Sequence, residues 1–218
     1  MYFAAGFSAG PCAAWRNVNP KNRSPSQSRG LERYDSILDA YSNLICERSD
    51  IHVSIQAIAQ AAGASVGSLY HFFGGREAIL DALAQRHVDR IAVILQGLED
   101  VNEVEWRYSS SKRVIEKLIG PTLDYLSRYR DVYIIAMTLP DRSEFSAHGI
   151  PAQILQLHQK VLRIRCPLFT QDQIELHSKV IYKLPSGLIE VFSAHPDPRL
   201  LEQAKIACSA YLTEISKQ

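Results

Sequence analysis

The chain has 218 residues, 46% of them hydrophobic and 22% charged, with 24 Lys and Arg against 23 Asp and Glu. That length is enough for one large domain or two small ones with a real core. The formal charge of +1 excludes a strongly basic nucleic-acid coat and an acidic tail, and leaves room for a local basic patch.

Residues 1–30 are rich in Gly, Pro, Ser and Asn, carry Arg16, Lys21, Arg23 and Arg29, and hold no acidic residue. Two readings stand: a disordered tail, and a basic arm that tracks a phosphate backbone. The opening MYFAAGFSAGPCAAW is small and apolar but lacks the charged leader of a secretory signal. No apolar run approaches the length of a membrane span, so a cytoplasmic protein with no membrane partner is expected. Cys12, Cys46, Cys166 and Cys208 are too scattered for CxxC spacing and read as small buried hydrophobes in a reducing compartment.

From Leu31 the pattern turns helical. Tyr34, Ile37, Leu38, Tyr41, Leu44 and Ile45 recur at three- and four-residue spacing, which places them on one face of a first helix. After the loop ERSDIHV, Ser54 stands where an N-cap belongs, ahead of IQAIAQAA. Gly63 closes that second helix with the left-handed backbone a C-terminal cap needs. Ser65 caps the third, VGSLYHFF. Gly74-Gly75 ends it, and a fourth runs from Arg76 to about Leu95.

The remainder reads as further helices. One spans Val114 to Tyr129, with a kink or break at Gly120-Pro121, and another spans Asp131 to Leu139, cut off by Pro140. Pro151 to Arg165 opens on a proline at its first turn. Thr170 and Gln173 form a capping-box signature for a helix towards Ala194 that Pro185 bends. Asp197-Pro198 starts the last helix, which runs to about Ser216. There is no useful strand alternation and no internal repeat, so the fold class is all-α.

Two short helices joined by AGAS have the length and punctuation of a helix-turn-helix. Ala59, Ala61 and Ala62 let the second helix cross the first closely. Val66, Gly67 and Ser68 are small enough to approach base edges, while Leu69 faces inward. No acidic residue occurs from Ile51 through Arg76, although residues 31–94 as a whole hold more acids than bases. Arg76 at a helix start opposes the helix dipole, which makes an external phosphate an attractive partner for it.

The stretch SIQAIAQAAGASVGSLYHFFGGREAIL resembles the DNA-binding signature of the TetR family of transcriptional regulators. The residues that carry the likeness are Ser54, Ile58-Ala59, Ala62-Gly63-Ala64-Ser65, Gly67, Leu69-Tyr70, Phe73 and Arg76-Glu77, within roughly residues 33–90. Ala64, Phe72, Gly75 and Arg76 depart mildly from the usual pattern, and Arg keeps the cation with bidentate geometry. The resemblance implies a helix-turn-helix domain over 31–78 and a helical ligand-binding and dimerisation domain over 79–218. It implies that Tyr70, Arg76 and Ser54 contact phosphates. Ser65, Val66, Gly67, Ser68 and His71 would face the major groove, with Ser68 and His71 the base readers. Phe73 would be core.

In such proteins the middle helices enclose an effector pocket and the last two pair with a twofold mate. Tyr125, Tyr129, Tyr133, Met137, His158 and Tyr182 are candidates for the pocket wall, and each is equally compatible with plain core. Ile181, Leu188, Phe192, Leu201, Ala204, Cys208 and Tyr211 form the apolar stripes expected at the dimer interface. Core packing within one chain is the other reading of those stripes. Histidine spacing gives no HxxxH or HExxH, and no nucleophile or phosphate-loop motif appears, so no metal, cofactor or enzymatic activity is expected. The expected partners are a double-stranded operator, a second copy of the chain and a small molecule of unknown identity. A repressor released by its effector is the expected function. The alternative is a helical ligand-binding or dimerisation protein that has lost specific DNA binding.

Overall fold

A computed structural model describes residues 25–139 and 149–217. Among these residues the chain is helical throughout, without strands. The N-terminal part comprises α1 (Pro25–Arg48), α2 (Ile55–Ala61), α3 (Val66–Phe72) and α4 (Arg76–Glu99). Then follow α5 (Glu103–Tyr108), α6 (Ser111–Leu118), α7 (Gly120–Arg128), α8 (Asp131–Thr138), α9 (Ile150–Arg165), α10 (Gln171–Lys183), α11 (Ser186–Ala194) and α12 (Pro198–Ile215). No helix among the described residues is long and apolar enough to cross a membrane. Of the arm expected over residues 1–30, residues 1–24 lie outside the described part. α1 begins at Pro25, ahead of Leu31 where the apolar period starts.

The breaks follow local chemistry. Gly120 and Pro121 separate α6 from α7, with proline in the first turn where its missing N–H leaves no bond unmade. Pro185 divides the long helix towards Ala194 into α10 and α11. Thr170 and Gln173 form a complete capping box at the start of α10. α4 runs past Leu95 to Glu99, and Lys160 of α9 covers its end, donating to the Glu99 carbonyl at 3.0 Å. α5, absent from the sequence-based expectation, is one short helix around the fully buried Trp106. Arg165 ties it down, donating to the carbonyls of Trp106 at 3.2 Å and Ser109 at 2.7 Å.

Two apolar cores result. The first gathers Ile37, Tyr41 and Ile45 of α1, Ile58 of α2, Leu69 of α3 and Leu83 of α4. The second gathers Ile91 and Leu95 of α4 with Trp106, Ile115, Leu162 and Leu212 among others. α4 therefore belongs to both, and the first core extends beyond residue 78 through Ile79, Leu80, Leu83 and Ala84. Ile135 of α8 also enters the first core, while its neighbour Val132 enters the second. Cys166 and Cys208 are buried free thiols and Cys46 is a half-buried one.

Candidate nucleic-acid interface and effector cavity

The α2–α3 pair is set by three local devices. Ser54 caps α2 by accepting the Ala57 N–H at 3.2 Å, and Ser65 caps α3 by accepting the Ser68 N–H at 3.1 Å. Between them Gly63 adopts φ +58°, a conformation that L side chains avoid. Arg33 of α1 then donates to the Gly63 carbonyl at 2.9 Å and ties the turn to the first helix.

α3 divides by direction. Leu69 and Phe73 are buried, and Phe73 stacks on Tyr34 of α1 with ring centres 4.7 Å apart. Phe72 is half-buried and meets Tyr34 edge-on. Tyr70 is 56% exposed and His71 is exposed, its ring braced edge-on by Phe72. Ser54, Ser65 and Gly67 are exposed, while Val66 and Ser68 are half-buried. Of the candidate contacts on α3, Gly67, Tyr70 and His71 are thus exposed, while Val66 packs against the first core beside the anchors.

Gly75 shapes the entry to α4 with φ +155° and ψ −174°, a region that essentially only glycine visits. A Cβ there would meet no atom within 4 Å, so the cost of a side chain is purely that of the backbone. Gly75→Ala is expected to lower unfolding stability by about 1–3 kcal/mol, read as a shift in urea midpoint at unchanged slope. Arg76 follows, half-buried, with its Nε donating to Glu77 at 3.0 Å and its second guanidinium nitrogen on the same carboxylate oxygen. The cation that opposes the helix dipole therefore has an anionic partner in the free protein.

The second core holds a cavity of about 600 Å³, with elements α4 and α6 to α11 contributing to its wall. Tyr133, Met137, His158 and Tyr182, four of the six candidates named for a pocket wall, line it. Tyr125 and Tyr129 do not line it. They turn the other way, onto α4. His87 of α4, fully buried, places Nδ1 2.7 Å from the Tyr125 hydroxyl and donates from Nε2 to Asp131 Oδ2 at 2.8 Å. Tyr129 packs against the Tyr125 and His87 rings, with the Arg90 guanidinium over its face at 5.3 Å. Asp131 is fully buried as well. Burial by itself would raise its pKa, but the His87 hydrogen bond and charge, with Ser42 and Arg86 nearby, hold it below the usual carboxylate value. Nothing in the histidine spacing pointed to this network, because its members come from α4, α7 and α8.

The apolar stripes of α10, α11 and α12 face inward. Ile181, Phe192, Leu201, Ala204 and Cys208 are buried in the chain's own second core, and Leu188 and Tyr211 pack against it. The Tyr211 hydroxyl sits 2.7 Å from His177 Nδ1 of α10. The apolar side chains these helices leave exposed are Leu176, Leu184, Val191 and Ile206.

A capped, glycine-turned helix pair with an exposed second helix is a helix-turn-helix of the kind that reads DNA. Residues 37–83 match the family described as bacterial regulatory proteins, tetR family. The N-terminal part of the chain is thus similar to the DNA-binding domain of that family. The HTH-type transcriptional regulator AlkX of Mycobacterium tuberculosis is 34% identical over 87 residues, 39% of this chain and 41% of that protein. The HTH-type transcriptional regulator YvdT of Bacillus subtilis is 29% identical over 115 residues, 51% of this chain and 53% of that one. The chain thus spans about half or less of the length of these curated relatives. Similarity of fold reaches further. A putative transcriptional regulator from Pseudomonas aeruginosa PAO1 superposes with TM-score 0.64 at 16% identity, over 86% of this chain and 91% of that one. A TetR transcription regulator from Haloarcula marismortui gives 0.63 at 16%, over 83% and 96%.

Proposed function

We propose that the chain is a homodimeric DNA-binding transcriptional regulator, a repressor that a small-molecule effector releases from a palindromic operator. The observation that carries this reading is the presentation of α3. A compact core holds Leu69 and Phe73, while Tyr70 and His71 stand exposed on a stretch without a single acidic side chain. Tyr70 and the capped N-termini of α2 and α3 supply neutral donors for phosphates, Arg76 a charged one, and Ser68 and His71 the base contacts. Pairing with a second copy through the exposed Leu184, Val191 and Ile206 would set two reading helices at half-site spacing.

α8 supplies the link between the two activities. One side of it lines the cavity through Tyr133, Ala136 and Met137. Another side carries Ile135 into the first core and Asp131 onto His87. An effector that displaces α8 therefore disturbs the packing of α1 and α4 under the reading helix and changes the separation of the two copies.

Footprinting on the DNA flanking the chain's own gene tests the reading. The expected result is one protected palindrome, with affinity lowered about tenfold or more in Tyr70→Ala and in Arg76→Ala. Sequence-independent binding that ignores both substitutions would sink it and leave the second reading, a ligand-binding protein without operator recognition. The Arg76–Glu77 pair is what keeps that second reading in play, since the cation already has a partner. The dimer has its own test. Val191→Glu combined with Ile206→Glu is expected to yield a folded monomer in sedimentation velocity, and an unchanged dimer would place the interface elsewhere.

A further inference from the structure

The wall of the cavity is aliphatic for most of its area, with Ile91, Leu95, Leu123, Ile154 and Ile189 among its residues. Among the described residues that line it, only Lys179 and Lys183 carry a fixed charge, and both are exposed. Lys179 lies 4.0 Å from Glu175, and Lys183 lies over the Tyr182 ring at 5.1 Å. Among the described residues no carboxylate lines the cavity, so a cationic ligand would find no counter-charge among them.

One polar group is out of place. His158 of α9 lines the cavity and is 2% exposed, yet its Nδ1 has no hydrogen-bond partner. Burial lowers the ring's pKa to about 4, which keeps it uncharged at neutral pH, and a hydrogen bond to the Ser178 backbone opposes that shift. A neutral imidazole that donates one N–H to a carbonyl keeps its other nitrogen as a bare acceptor. Tyr182, edge-on at 6.3 Å between ring centres, fixes the ring's plane. A buried acceptor without a donor is costly, and a ligand that brings one gains accordingly.

We infer that the cavity takes an uncharged, mainly aliphatic molecule bearing a hydroxyl, and that His158 Nδ1 accepts the hydroxyl hydrogen. This rests on the reading of the cavity as the effector site and adds the chemistry of its ligand. The volume lies within the range of roughly 300–1,000 Å³ usual for small-molecule sites. His158 is then the residue that distinguishes an alcohol from an equally apolar molecule without a donor. The gain is one of specificity, because a site that expects a donor rejects the analogue lacking it.

Two isomers separate the cases: n-nonanol and methyl octyl ether contain the same atoms, and only the alcohol donates. Titration calorimetry on the full chain is expected to show nonanol binding at least about tenfold more tightly than the ether. In His158→Phe, which keeps a ring and removes the acceptor, the two should bind alike. Nonanoate and nonylammonium should bind more weakly than nonanol. Equal affinity of alcohol and ether for the wild-type chain overturns the proposal, as does a preference for either ion or no measurable binding of any. That comparison needs no variant, so it stands even if His158→Phe fails to fold. The effector reading is checked separately by operator affinity. Nonanol binding with the expected preference but no effect on DNA would remove the effector reading and leave the ligand class. Release of DNA by the ether, with none by nonanol, would do the reverse.

Discussion

Replacing His87 by alanine is expected to destabilise the fold by about 3–5 kcal/mol, the largest effect anticipated for any single polar side chain here. The substitution removes the donor at 2.8 Å from Asp131 and strands a fully buried carboxylate. That carboxylate sits below its usual pKa only because His87 and its neighbours outweigh burial. Without them it must ionise unaided in a dry site or take up a proton, and both are costly. The Tyr125 hydroxyl also loses one of its partners, at 2.7 Å, and keeps Arg90. Urea unfolding monitored by circular dichroism measures the change. The double substitution His87→Ala with Asp131→Ala should cost less than the sum of the two single ones, because it leaves no orphaned charge. A loss under about 1 kcal/mol for His87→Ala would mean that water reaches Asp131, and the network would have no special weight.

Mild acid is expected to weaken the protein through His158. Its pKa falls from 6.5 in the open chain to about 4 in the folded one, through burial. Above about pH 6.5 neither state carries the proton, and stability is unaffected. As pH falls from there towards 4, the unfolded chain takes up a proton that the folded one refuses, so stability declines. Below about 4 both states are protonated and this decline ends. The whole window amounts to about 3 kcal/mol. Lys179 and Lys183 line the same cavity, and no carboxylate among the described lining residues offsets the effect. His177, lowered by burial too, acts in the same sense. The measurement is therefore a difference between the wild-type chain and His158→Phe, in urea midpoints at pH 7 and pH 4.5. Parallel losses in both proteins would show that His158 is not the source. Asp131 has the other window, since its depressed pKa adds stability that vanishes only below the ordinary carboxylate range.

Local chemistry was readable in advance, and spatial assignment was not. Ser54, Gly63, Ser65 and the Thr170–Gln173 box act within a few residues of themselves, so spacing alone located their helix ends. The breaks at Pro121 and Pro185 have the same local origin. α5 escaped because one buried Trp106 among Glu103, Glu105 and Arg107 makes no apolar period. Tyr125, Tyr129 and Tyr133 occupy neighbouring stretches of sequence, yet only Tyr133 reaches the cavity, because α7 presents its tyrosines to His87 instead. The stripe with Leu201, Ala204 and Cys208 was visible as a stripe. A sequence does not say whether such a stripe meets its own chain or another, and here its own core takes it.

The sharing of α4 between the two cores bears on how such a protein can be cut and recombined. A piece ending at residue 78 would lose Ile79, Leu80, Leu83 and Ala84 from the packing beneath α3. One ending after Ala84 would still lack Ile135, which arrives from α8. The part of the chain that carries α3 is therefore not a portable cassette. Grafting it onto another scaffold would require bringing the first turns of α8 along, and with them part of the cavity wall.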